Sequence, residues 1–267
     1  MEELNSLKVY CDWQLPISYK YKNAIEIFVD GWNKLNPDTN SVKILYLCEP
    51  NEIKHLNKKA IKHKKLFNYI FTHDEKVLKK CSNAILFPFG SSWIRNYKFK
   101  RKKFAASTVV GAKRRTKGHK LRLKLWKNQN QITIPKFFYL SYHAKGRLKN
   151  INNNPLLGKV KNPMFDCQFH IAIENVRKNN WFTEKLIDCF RTKTVPVYWG
   201  CPNIGDFFNS DGILQINSLK NLIDVVNSLT PKTYLDMKTA VKENYRLSEK
   251  YIVLVKRFEE KLKDIFS

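Results

Sequence analysis

Two spacings of apolar residues alternate along the chain. Short β-branched and aromatic runs recur at 7–13, 42–48, 69–72, 84–89, 104–110, 137–140, 169–173, 194–200 and 212–216, and each predicts a strand. Several of the segments between them carry helical spacing instead. Residues 23–35 place Ala24, Ile25, Phe28, Val29, Trp32 and Leu35 on one stripe and close on Asn36-Pro37, which predicts a helix there. Helices are also predicted at 74–80, 119–129, 219–229 and within 234–266, and 52–66 is compatible with a strongly basic one. Such alternation predicts an α/β protein with parallel sheets. The stretch 90–103, with Gly-Ser-Ser and then KFKRKK, interrupts the rhythm and reads as a linker. The expected architecture is two Rossmann-like domains facing a cleft, 1–97 and 98–247, with a C-terminal helix at 248–267 packing back on the first.

The densest constellation of polar residues lies in the unit 169–199. Its first strand ends on Glu174-Asn175, a basic and polar loop covers 176–180, and Trp181-Phe182-Thr183-Glu184-Lys185 opens a helix before the next strand. In a βαβ unit that loop lies at the carboxyl end of the sheet, where open α/β folds bind ligands. Thr183 is the expected N-cap, and the helix start with Lys185 in its first turn would make an anion site. Glu184 could accept hydrogen bonds from ribose hydroxyls, or be an ordinary first-turn acid favoured by the helix dipole. The basic loop 113–117 could bring further cations to a leaving diphosphate. Glu49, at the end of the buried run 42–48, could serve as a general base or hold its own loop in position.

Charge sharpens this picture. The 267-residue chain carries 49 Lys and Arg against 23 Asp and Glu, a net charge of +26. Residues 76–165 contain no acid but 23 of those bases, so one band points to an anionic partner: a nucleotide-sugar, a nucleic acid or an anionic lipid surface. The six cysteines show no CxxC spacing, as expected of buried thiols in a reducing compartment. There is no Walker A loop, GxGxxG, GxSxG, HExxH or Asp-x-Asp pair, so no metal or cofactor is expected. His170, inside a strand, is expected to be a satisfied core histidine. Without a signal peptide or an 18-residue apolar run, the expectation is a soluble, cytoplasmic protein.

The run FHIAIEN, then five residues later WFTEKLIDCF, then four later VPVYWGCPNI, resembles the signature of glycosyltransferase family 10, the α1,3/α1,4-fucosyltransferases. Members carry F-x-(I/L)-(A/C)-(F/I)-E-N, Y-x-T-E-K and (V/I)-P-(I/V)-Y-W-G-x-P. Similarity extends over 103–125 and to YLCEPN at 46–51. The resemblance implies a GT-B fold and metal-independent, inverting transfer of L-fucose from GDP-fucose to a glycan hydroxyl. By matched position it implies Glu184 on the donor's ribose, Lys185 on its phosphates, and Glu174 and Asn175 shaping the pocket. Arg122 is the first choice and Arg115 the second for the family's phosphate-binding arginine. Glu49 would be the catalytic base. Trp181 stands where the family has Tyr, and Val176 where Ser is common. The alternatives are transfer of another sugar from GDP, or a nucleic-acid-binding protein using the basic band. The expected partners are a GDP-sugar and a glycan acceptor, with peripheral contact to an anionic membrane compatible with both.

Overall fold

A computed structural model describes residues 7–12, 16–17, 24–94 and 96–266. Trp13, at the end of the first expected strand, and Asn23 lie outside them. In chain order the elements are β1 Leu7–Tyr10, β2 Ile25–Val29, β3 Val42–Leu47, α1 Asn51–Lys54, α2 Asn57–Lys62, β4 Tyr69–Thr72, α3 Glu75–Lys80 and β5 Ala84–Leu86. Then come β6 Lys103–Val110, α4 Lys117–Lys127, β7 Lys136–Ser141, β8 Leu156–Leu157, β9 Cys167–Ile173, α5 Glu184–Arg191, β10 Val195–Trp199 and β11 Leu214–Gln215. Four helices finish the chain: α6 Leu219–Asn227, α7 Pro231–Asp236, α8 Lys238–Leu247 and α9 Leu254–Phe266. Among the described residues no helix is long and apolar enough to cross a membrane.

The chain divides into two compact units. The N-terminal unit holds 1–89, the short excursion 179–181 and the tail 253–267; the C-terminal unit holds 90–178 and 182–252. In the first, strands β1 to β5 pair in parallel in simple sequential order. Right-handed crossovers that always step in one direction stack on one face of a sheet. That face carries Phe28, Leu45, Leu47 and Ile70 under Ala60 of α2 and Val77 of α3. The opposite face, with Ile25, Ile27, Ile44, Tyr46 and Phe71, is closed by Leu254, Phe258 and Leu262 of α9. Helix α9 thus supplies the layer that local connections cannot.

Two expectations are corrected here. The helix at 23–35 is instead strand β2, hydrogen-bonded to both β1 and β3 and buried at every position. A strand buried on both faces loses its polar alternation, and its apolar run then mimics a helical stripe. Its one acid, Glu26, stays in place by accepting from Tyr10 (3.0 Å), Thr39 (2.9 Å) and Ser41 (2.6 Å). The helix at 52–66 is broken into α1, α2 and the 3₁₀ turn Lys64–Leu66, because His55 takes a left-handed φ of 57°. The segment buries only Asn57 and Ala60, too narrow a face to hold one long helix.

In the C-terminal unit the strand order is β11-β10-β9-β6-β7-β8, all parallel. The chain starts in mid-sheet at β6, steps outward to β8, and returns to the other side of β6 as β9. The order therefore reverses between β6 and β9. Loops diverging from such neighbours leave a crevice at the carboxyl end of the sheet. His170 behaves as a core residue: it is buried, its Nδ1 lies 2.8 Å from Ser107 Oγ, and burial pushes it down to about 3.

Candidate active site

The loops after β6 and β9, which flank the reversal, are locked together. Gly118 N–H in the first turn of α4 donates to Asn175 O (3.0 Å). A Cβ on Gly118 would fall 1.7 Å from Glu174 O, so only glycine permits this approach. Arg122, one helical turn on, donates to Ile173 O and to Asn175 Oδ1 (2.7 Å). Across β10, a Cβ on Gly200 would meet Tyr198 Oη at 2.2 Å and Glu174 Cγ at 2.6 Å. The side chain of Glu174 consequently sits in a closed slot with no solvent exposure.

What Glu174 does there is organise the start of α5. It accepts from Thr183 N (2.8 Å) and Thr183 Oγ1 (2.8 Å), while Thr183 Oγ1 caps the helix by accepting from Lys185 N (3.3 Å). Lys185 Nζ lies 2.9 Å from Glu184 Oε1 and 3.8 Å from Glu174 Oε2. Burial works to raise both acids. Glu174 ends raised, whereas at Glu184 burial is outweighed by the charge and hydrogen bond of Lys185 together with Lys161 and Thr183, which leaves it lowered. Burial works to lower Lys185, but Glu184 and Glu174 outweigh it and the ammonium ends raised.

Cations crowd the same corner. His119 Nδ1 accepts from Thr116 N (3.2 Å), completing a capping box on α4. The ring is pushed down to about 4, first by burial and then by Arg122, Lys113, Lys185 and Arg115. Those four charges are therefore felt at one point, and Glu174 and Glu184 offset two of them. The surplus is what a diphosphate would neutralise. Lys161 carries the field further: burial lowers it, while Glu184 and Asp188 work to raise it. Its ammonium stands 3.1 Å from the Trp93 ring centroid, and both line a cavity of about 430 Å³ with Ile94, Asn96, Lys159, Val160 and Asn162.

Asp188, on α5 beneath this corner, is 2% exposed and accepts from Ser92 Oγ (2.7 Å), Trp93 N (2.9 Å) and Ile94 N (3.3 Å). Burial pushes its carboxyl from 3.8 up to about 7, against those hydrogen bonds. A raised carboxyl binds a proton in the folded state that the unfolded state has released. Its stabilising contribution is therefore complete below 3.8 and is lost as pH rises to about 7. Asp188→Asn keeps an acceptor and removes the titration. Relative to the parent, the variant should gain thermal stability steadily between pH 4 and 7 and then level off; a pH-independent difference in Tm would contradict the shift.

Of the residues expected at the site, Arg115, Arg122, Glu174, Asn175, Thr183, Glu184 and Lys185 lie in the C-terminal unit, and Glu49 and Trp181 in the N-terminal unit. Arg122 is half-buried in the locked loops, and Arg115 is exposed on the loop before α4. Trp181 Nε1 donates to Cys48 O (3.3 Å), and its ring lies 6.3 Å from His73. Glu49 is held by its backbone, whose N–H lies 3.1 Å from both oxygens of Asp30. Asp30 has a left-handed φ of 50° and also accepts from Cys48 N (2.9 Å); burial pushes it up to about 7. Sequence reasoning missed His119, Lys161, Asp188 and Asp30. Only His119 had a local signal, the three-residue spacing from the capping Thr116.

The family model described as Glycosyltransferase family 10 (fucosyltransferase) C-term matches residues 100–261, more than half of the chain. The α-(1,3)-fucosyltransferase FucT of Helicobacter pylori is 29% identical over 103 residues, which make up 37% of this chain and only 19% of that protein's length. Among solved structures, an α1,3-fucosyltransferase with GDP-fucose aligns over 91% of this chain and 78% of its own, with TM-score 0.56 and 19% identity. An E. coli trehalose-6-phosphate structure bound with UDP-2-fluoro glucose aligns over 90% and 73%, with TM-score 0.59 and 9% identity. At these identities the structural likeness shows the fold, GT-B with two Rossmann-like units. The site corner lies inside the matched region, and the chain belongs to glycosyltransferase family 10, the fucosyltransferases.

Proposed function

We propose that the protein is an inverting, metal-independent glycosyltransferase that moves L-fucose from GDP-fucose to a hydroxyl of a glycan acceptor. The observation that carries this is the Glu174–Thr183–Glu184–Lys185–Arg122 cluster at the strand-order reversal, with more cations than it can neutralise. Lys185 and an arginine, Arg122 or Arg115, take the diphosphate, and Glu184 takes the ribose hydroxyls. Glu174 and Asn175 act by holding the cap and Arg122 in place. The cavity beside Lys161 suits the base: Trp93 offers a stacking face, and Lys161, Asn96 and Asn162 offer donors. Guanine presents two adjacent acceptors, N7 and O6, to such donors.

In the reaction the bond from fucose C1 to the phosphate oxygen breaks, and GDP leaves with the added negative charge. The surrounding cations lower the cost of that charge where a metal would otherwise serve. The acceptor oxygen bonds to C1 from the opposite face, and its proton passes to Glu49, the base by the matched motif. The H. pylori relative, an α-(1,3)-fucosyltransferase, and the solved GDP-fucose complex support this donor and acceptor class.

GDP in the presence of EDTA should raise the melting temperature by several degrees, since a ligand at a hundred times its Kd adds about 2.7 kcal/mol. No shift with GDP, but one with an oligonucleotide, would transfer the reading to a nucleic-acid-binding protein. Release of GDP across a panel of GDP-sugars then decides the sugar.

A further inference from the structure

The donor corner uses only part of the basic band. The C-terminal unit carries 31 Lys and Arg against 10 Asp and Glu, a net charge of 31 − 10 = +21, while the N-terminal unit carries 18 − 13 = +5. Much of the surplus is organised on α4. Lys117, Lys120, Lys124 and Lys127 are all exposed, and at 100° per residue they fall within a stripe about 80° wide and about 15 Å long. Leu125 and Trp126 face the core on the other side. The helix bears no acid, and among the described residues none of the four lysines has a carboxylate within 4 Å. Asp224, the one acid on the adjoining α6, is exposed and does not pair with them.

A second basic segment, the loop 142–151, is tied to the end of α4. Trp126 Nε1 donates to Lys149 O (3.0 Å), and Asn152 Nδ2 donates to Asn130 Oδ1 (2.8 Å). The loop exposes Lys145, Arg147 and Lys149, and at its two ends Tyr142 is 64% and Ile151 37% exposed. Cations flanked by an amphipathic ring and an aliphatic side chain match the headgroup layer of an anionic bilayer, where Lys and Arg meet lipid phosphate and Tyr sits at the boundary. A single-stranded nucleic acid would instead need rings along the track, and the one Trp, Tyr or Phe ring on α4, Trp126, is 1% exposed.

We infer that the exposed face of α4 with the loop 142–151 is a docking surface for an anionic lipid bilayer. It holds by charge with shallow insertion at Tyr142 and Ile151, so attachment is reversible and salt-sensitive. The inference is independent of the donor reading. Its test is co-sedimentation with vesicles of phosphatidylcholine alone or with about a third phosphatidylserine, using the full chain. The parent should bind only the anionic vesicles and be released by raised salt. Lys120, Lys124 and Lys127 stand outside the donor machinery. Changing all three to Gln should weaken binding about a hundredfold, from the roughly fivefold that one surface lysine contributes near such a bilayer. Changing all three to Arg should restore binding, and the GDP-induced melting shift should be unaltered in both variants. Equal binding to neutral vesicles, undiminished binding of the Gln variant, or displacement from vesicles by low concentrations of oligonucleotide would overturn it.

Discussion

Glu49→Gln is expected to slow fucosyl transfer about 10²–10⁴-fold while leaving GDP binding intact, the range a positioned general base supplies. The substitution is nearly isosteric; it removes the charge and with it the capacity to take a proton. The loop is held at its backbone: the Glu49 N–H is held by Asp30, which also accepts from Cys48 N. The melting temperature and its GDP response should therefore match the parent. Steady-state transfer with saturating donor, beside a GDP titration, checks both halves. A rate within threefold of the parent would remove Glu49 from the chemistry and leave it a loop residue.

Lys185→Ala should weaken GDP at least tenfold, about 1.4 kcal/mol, and it should also destabilise the unfilled protein. Glu174 is fully buried, Glu184 is 9% exposed, and Lys185 is the cation at 3.8 and 2.9 Å from them. Removing one member of a buried charge pair leaves uncompensated charge and costs roughly 3–5 kcal/mol; the partial exposure of Lys185 places this case near 3. The pH dependence follows from Glu184, whose carboxyl is held below 4.5 mainly by Lys185 acting against burial. A lowered carboxyl contributes stability above 4.5 that is lost as pH falls. The variant lacks that contribution, so its deficit should be largest at neutral pH and shrink below about 4.5. Urea unfolding at pH 7 and pH 4 reads this directly. Unchanged GDP affinity with a full stability loss would make Lys185 structural only.

How much of this was legible depended on the range of the forces involved. The unit from β9 through α5 to β10 could be read closely, including the Thr183 cap, because cap, first-turn charges and apolar spacing act within a few residues. The strands β3, β4, β6 and β7 were legible for the same reason. Strand β2 was not, since its identity rests on hydrogen bonds to β1 and β3 rather than on its own pattern. Nor was the break at His55, a backbone choice that no apolar spacing announces.

Neighbouring residues and composition were enough to specify an α/β chain, the local order of the β9–α5–β10 unit, and a basic band suited to an anion. Tertiary structure alone decided the rest. It placed β6 beside β9, so that Gly118 and Arg122 close on Glu174 and Asn175 more than fifty residues away. It put Asp188 under Ser92, and it grouped Trp181 with Cys48 and His73. It also separated the cations that crowd His119 from those that line the outer face of α4. The physical reason is common to all four: burial and pairing are set by residues distant in the chain, whose approach no local spacing encodes.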